Sequence, residues 1–144
     1  MRMEYEMLHI NGEDADYIDD KIVEYNLSKM PAECENGRVV KWFGRKVIND
    51  DGRIIGGCVA LRTVWNTAEV SALWVDEKYR NRKIGTDLLC AVEREAKENG
   101  CTVISLDTFD WQAKEFYEKN GYFVFGELKD CPKGHSRYYM SKFL

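Results

Sequence analysis

The chain has 144 residues, 44% of them hydrophobic and 12% aromatic, and carries a net charge of −4 at pH 7. That length and composition describe one domain, 1–144, with a real hydrophobic core, and exclude a disordered chain. The acidic balance argues against nucleic acid or an acidic membrane as a partner, and no apolar run could span a bilayer.

The N-terminal stretch MRMEYEMLHI is too polar for a signal peptide. Met3 to Ile10 alternates loosely and predicts a first strand, closed by Gly12. Asp14 can cap a helix from Ala15 to Met30 with Tyr17, Ile18, Ile22, Tyr25 and Leu27 on its inner side, and Pro31 would end it. Residues 32–37 read as a loop. Arg38 to Ile48 predicts a strand, Asn49 to Gly52 a hairpin turn, and Arg53 to Val64 the returning strand. Gly56 and Gly57 inside that strand point to a bulge or to a close approach of another group. After the turn at Trp65 to Thr67, Ala68 to Val75 predicts a fourth strand, in which Val70, Ala72 and Trp74 alternate with Glu69, Ser71, Leu73 and Val75.

A charged turn, Asp76 to Lys83, leads from this strand into a helix predicted from Ile84 to Asn99, with Gly100 as its stop. Cys101 to Leu106 is a short apolar strand, most simply parallel to the fourth strand across a helical crossover. A short helix over 111–120, a strand over 122–128, a loop over 129–136 and a last strand over 137–143 complete an α/β fold. The five cysteines form no C-x-x-C pair, and the two histidines lie far apart. Cys58, Cys90 and Cys101 sit in apolar runs, as buried, reduced cysteines of a cytoplasmic protein do, and no metal site or disulfide framework is expected.

The passage from strand to basic turn to helix is an anion site in outline. A helix start has free N–H groups and partial positive charge, and Arg80, Arg82 and Lys83 add full charges to it. Here a resemblance enters. The run from Tyr79 to Gly85 resembles the acyl-CoA signature Q/R-x-x-G-x-G/A of the GCN5-related N-acetyltransferases, with Arg80 first, Gly85 last, and Lys83 where the family usually has a glycine. The stretch from Asp110 to Tyr122 resembles a second signature of the family, N-x-x-A-x-x-[LF]-Y-x-x-x-G-[FY], with Asp110 in place of asparagine. The ending GYFVFGELKDCPKGHSRYYMSKFL is similar to that of small bacterial members.

The resemblance covers nearly the whole chain. It implies a mixed, mostly antiparallel seven-stranded sheet with helices on both faces, and acetyl-CoA as co-substrate between splayed fourth and fifth strands. It implies that the backbone of Leu73, Trp74 and Val75 bonds pantetheine, and that Arg80, Asn81, Arg82, Lys83, Ile84, Gly85 and Thr86 hold the pyrophosphate. Asp110 falls at a cofactor contact, and the stretch before Gly37 falls where the acceptor is covered. Tyr117 falls at the tyrosine that protonates the leaving thiolate, and a phenol and a thiol ordinarily titrate in comparable ranges. Glu69 falls where histone-type members carry their base. A small-molecule or peptide amine is the implied acceptor, and a homodimer is open because dimers are common among relatives. His135 could line the acceptor pocket or act as a base instead. Besides direct transfer in a ternary complex, two readings stand: an acyl-CoA-binding sensory domain without chemistry, and a nucleotide-binding module, for which no Walker pattern speaks.

Overall fold

The computed structural model describes residues 4–30, 41–63 and 65–144. The chain divides into two compact units, 1–36 and 37–144. In the first, α1 (Gly12–Lys29) is capped by Asn11 and not by Asp14. The Asn11 side chain accepts from the Asp14 N–H at 2.9 Å, while the Asp14 carboxylate accepts from the Asn11 N–H at 3.0 Å. Asp14 is therefore the reciprocal partner of a capping box. Residues 4–10 carry no strand, which corrects the reading of 3–10. The predicted stop at Pro31, the loop at 32–37, Cys34, and the start of the next strand at Arg38 lie outside the described residues.

The second unit holds a six-stranded sheet in the order β1-β2-β3-β4-β6-β5. Its strands are β1 (Lys41–Ile48), β2 (Ile54–Arg62), β3 (Thr67–Val75), β4 (Val103–Phe109), β5 (Phe123–Lys129) and β6 (Ser136–Phe143). Six described strands replace the expected seven. β3 and β4 are parallel, and the other neighbours are antiparallel. The first hairpin turns at Gly52 (φ +77°), whose N–H bonds the Asn49 carbonyl at 2.9 Å. Between β3 and β4 runs α2 (Ile84–Glu98), and α3 (Lys114–Lys119) lies between β4 and β5.

Both helices of this unit sit on one side of the sheet. Leu88, Leu89, Val92 and Ala96 of α2 and Tyr117 of α3 share a core with Cys58, Ala60, Val70, Ile104, Leu106 and Met140. Helix and sheet come close at Gly56, where a Cβ would stand 3.4 Å from Leu88 and 3.5 Å from Ile84. The two adjacent glycines thus mark a close approach. Within the core, Glu93 of α2 accepts from Lys142 Nζ of β6 at 2.8 and 3.1 Å. Cys58 and Cys101 are buried as expected, but Cys90 is exposed, because it falls on the outer side of α2. Among the described residues no helix is long and apolar enough to cross a membrane.

Two irregularities of β3 matter for function. The β2–β3 register pairs Val59 with Ala72 but Ala60 with Val70, so Ser71 is an extra residue, a β-bulge. The bulge breaks the simple alternation. Val70 faces α2 together with Leu73 and Val75, while Ala72 and Trp74 are exposed. Second, β3 pairs with β4 over only Thr67, Ala68 and Glu69. Beyond Glu69 the two strands part, and Val70 to Val75 have no β4 partner.

Candidate active site

The parted strands form a wedge that closes at Glu69, opposite Ser105, and opens toward the C-terminal ends of β3 and β4. One wall is the unpaired side of β3 from Val70 to Val75. Leu73, Trp74 and Val75 stand on this wall, where backbone groups facing the opening are available to a ligand.

At the open end β3 passes into a loop built to turn back on itself. Asp76 caps a short 3₁₀ turn (Glu77–Tyr79) by accepting from the Lys78 N–H at 2.9 Å. Arg80 donates its Nε–H to the Val75 carbonyl at 3.0 Å, which ties the loop to the strand end. The Arg82 guanidinium lies 5.6 Å from the centre of the Tyr79 ring. Asn81 and Lys83 both have φ of +62°. Lys83 is the N-cap of α2 in the left-handed conformation, and no side chain caps it. The first backbone bond of α2 runs from the Asp87 N–H to the Lys83 carbonyl at 2.9 Å. The N–H groups of Ile84, Gly85 and Thr86 therefore precede the helical ladder and are available to an anion. This end of the helix is flanked by the exposed cations Arg80, Arg82 and Lys83.

The left-handed backbone at Lys83 explains why its position favours glycine: a Cβ is disfavoured there in the free protein, before any ligand arrives. Gly85 has a packing reason of its own. A Cβ at Gly85 would stand 3.4 Å from the Phe116 ring and 3.8 Å from Val75, so a small residue lets α3 abut the start of α2.

That contact brings Tyr117 in behind the loop. Tyr117 is only 7% exposed and packs edge-on against Phe116 (5.2 Å between ring centres) and Tyr122 (5.7 Å). Burial, followed by the proximity of Cys58 and Asp107, pushes its phenol up to about 12. The expected match with a thiol therefore shifts: the phenol holds its proton more tightly than an ordinary tyrosine.

The face of the sheet away from α2 carries the remaining polar groups. On β4, Ile104, Leu106 and Thr108 are buried toward α2, which turns Ser105, Asp107 and Phe109 the other way. Glu69 pairs with Ser105 and shares that face at the closed end of the wedge. Arg137 of β6 donates its Nε–H to the Asp107 carboxylate at 2.8 Å, and its guanidinium lies 5.7 Å from the Phe109 ring and 5.2 Å from the Tyr139 ring. This ion pair escaped the sequence, because its members are 30 residues apart and no motif links them.

Asp110 and His135, read separately in the sequence, are brought together. The His135 Nδ1 lies 2.9 Å from Asp110 Oδ1, and Asp110 Oδ2 accepts from the Ser136 N–H at 2.9 Å. The Ser136 N–H foremost, and then the His135 ring, hold the Asp110 carboxyl below the usual carboxylate range. Both oxygens are thus engaged within the protein.

Comparisons with known proteins find acetyltransferases. The profile of the acetyltransferase (GNAT) family matches residues 10–122. A blasticidin-S acetyltransferase of Streptomyces morookaense is 30% identical over 106 residues, covering 73% of this chain and 77% of that protein. The crystal structure of an acetyltransferase from Bacillus cereus superposes with a TM-score of 0.86 at 35% identity, over 97% of this chain and 98% of the other. A Bacillus anthracis protein, provisionally named a streptothricin acetyltransferase and solved in complex with acetyl coenzyme A, shares the fold with a TM-score of 0.64 at 24% identity. That superposition covers 78% of this chain and 66% of the other.

Proposed function

We infer the reaction from one premise: the chain belongs to the acetyltransferase (GNAT) family. We propose that it takes an acetyl group from acetyl-CoA and moves it directly to a primary amine, with both substrates bound together. The observation that carries this is the wedge. A strand pair that separates after three residues leaves an open row of amides, and that row leads to a helix start ringed by three cations. A thioester arm ending in a pyrophosphate has the matching shape and charge.

The amides of Leu73 to Val75 would bond the pantetheine arm and polarise the thioester carbonyl. The N–H groups of Ile84, Gly85 and Thr86, with Arg80, Arg82 and Lys83, would hold the pyrophosphate. The backbone of Asn81 shapes that loop. Tyr117 would donate a hydrogen bond to the departing sulfur. Glu69, at the closed end of the wedge, would draw in the ammonium and is the first carboxylate able to take its proton, directly or through water. Holding amine and thioester together supplies much of the acceleration by positioning alone. We treat residues 1–144 as one catalytic domain, since the family match runs through the boundary at residue 36. The acceptor is proposed as a small amine, and blasticidin S heads the compounds to try because a relative is named for it.

The test is thermal unfolding with acetyl-CoA, with ATP as control, followed by thiol release with blasticidin S and a set of primary amines. At about a hundred times its dissociation constant a ligand stabilises by roughly 2.7 kcal/mol. For a domain of this size that is a rise on the order of 5–15 °C. A rise with acetyl-CoA but not ATP, and thiol release on adding an amine, is expected. No rise at saturating acetyl-CoA would remove the wedge as a cofactor site, and a rise without thiol release would leave binding without transfer.

A further inference from the structure

We propose that the Asp110–His135 pair is a prebuilt base, in which Asp110 positions the His135 ring so that its Nε2 takes the proton from the acceptor amine. The proposal rests on the transfer reading above and gives the proton-accepting part to an imidazole in place of Glu69, which keeps the part of drawing in the ammonium.

The ring is fixed from two sides. Its Nδ1 meets Asp110 at 2.9 Å, and its edge-on contact with Trp111 spans 4.9 Å between ring centres. Trp111 is itself stacked on Phe109 at 4.6 Å with the planes 5° apart. Asp110 is held in turn, because the Ser136 N–H bonds its other oxygen. The backbone of the loop is closed as well: the His135 N–H bonds the Pro132 carbonyl at 2.9 Å, and the Cys131 N–H bonds the His135 carbonyl at 3.1 Å. A charged carboxylate at Nδ1 selects the tautomer with the proton on that nitrogen. Nε2 is then left with a lone pair, on a side chain that is 49% exposed and so within reach of a substrate. This is the arrangement that turns an imidazole into a base in a hydrolase triad, except that the nucleophile here arrives with the substrate.

Its location fits the reaction. Asp110 follows the last residue of β4, five residues beyond Ser105, or about 16 Å up the strand from the closed end of the wedge. With the extra residue that the bulge at Ser71 adds to β3, that is the height of Val75 on the opposite wall. The dyad therefore stands at the open end of the wedge, where β4 meets β6 and level with the end of the wall proposed to hold the thioester arm, whereas Glu69 lies at the closed end. The pair also explains why Asp110 differs from a cofactor-contacting asparagine: its carboxylate is occupied by its own loop. The charged groups around the ring are Asp110, the Asp107–Arg137 pair, Glu127 bonded to Ser136 Oγ, and Asp130 and Lys133 of its own loop.

In the step itself the acceptor ammonium gives one proton to Nε2, and the imidazolium passes it to water. The neutral nitrogen attacks the thioester carbonyl carbon, a C–N bond forms and the C–S bond breaks. The thiolate is protonated as the second amine proton leaves to solvent.

The test reads the imidazole nitrogens of the full-length protein by ¹⁵N NMR, and thiol release from acetyl-CoA across pH with ethanolamine as the probe amine. Wild type should show His135 as the Nδ1–H tautomer, and Asp110→Asn should lose that preference. His135→Gln should lower turnover on the order of 100-fold at neutral pH and abolish the acidic limb of the pH profile. Its thermal rise with acetyl-CoA should match wild type. A dominant Nε2–H tautomer in wild type, or an acidic limb unchanged in His135→Gln, would overturn the base. Loss of the acetyl-CoA rise in wild type would instead overturn the transfer reading.

Discussion

Replacing Lys83 with glycine should raise stability and lower cofactor affinity at once. Lys83 occupies the left-handed region, with φ +62° and ψ 10°. An L-residue there costs about 1–2 kcal/mol, while glycine loses about 0.5–1 kcal/mol more chain entropy on folding. The net gain for Lys83→Gly is then about 0.5–1 kcal/mol, a rise of roughly 1–4 °C in Tm. The same change removes one exposed cation from the helix start. An exposed charge contact is worth up to about 1 kcal/mol, or roughly a fivefold weaker Kd for acetyl-CoA. Lys83→Ala serves as the control, because it removes the charge but keeps the Cβ in the left-handed region. Scanning calorimetry and isothermal titration of the three proteins separate the two effects. Lys83→Gly melting no higher than Lys83→Ala would refute the strain argument. An unchanged Kd in both variants would refute the placement of the pyrophosphate.

Three further outcomes follow from the same structure. Tyr117→Phe should lower kcat on the order of 100-fold while leaving the acetyl-CoA Kd within about twofold, as titration and thiol release can show; equal turnover would end its role as donor. Lys142→Met leaves the buried Glu93 carboxylate without its ammonium and should cost on the order of 3 kcal/mol in urea unfolding. Adding Glu93→Gln should restore much of that loss, and no recovery would mean the two side chains act independently. The Asp110 carboxyl titrates lower in the folded chain than in the unfolded one. Its contribution is therefore fully present above the ordinary value near 4 and is lost as pH falls through the folded value. The stability difference between wild type and Asp110→Asn should be present at about pH 5 and shrink below about pH 4. A difference that persists at low pH would assign the loss to loop geometry instead of charge.

The order of elements was legible wherever local signals agree. Helix α2 has its apolar stripe and its stop at Gly100 (φ +80°), and the first hairpin has its Asp-Gly. The wedge was legible only through resemblance, because the parting of β3 and β4 depends on pairing between strands far apart in sequence. The bulge at Ser71 left no local mark and put Ala72 on the face opposite Val70, where a regular strand would put both on one face. Asn81 and Lys83 carry a partial signal: asparagine tolerates the left-handed region, and a lysine in a glycine position invites the question of its φ. The Asp110–His135 and Asp107–Arg137 pairs span 25 and 30 residues and follow from the β4–β6 register, which a single sequence does not display.

Tyr117 shows why packing and chemistry are not rival readings of one residue. Its phenol is pushed up to about 12 by the burial that also places it in the core. A thiol titrates near 8.5, so handing a proton fully to a thiolate is uphill by three to four pH units, on the order of 5 kcal/mol. Complete transfer in advance of bond cleavage is thus disfavoured. A hydrogen bond that strengthens as charge builds on sulfur is not, because it requires the donor to keep its proton at every working pH. The ring contacts with Phe116 and Tyr122 fix the direction of that donor, and the low exposure that raises its pKa also keeps water from screening the bond. In the proposed reaction the aromatic cluster would thereby supply a donor whose orientation needs no rearrangement when the thioester breaks.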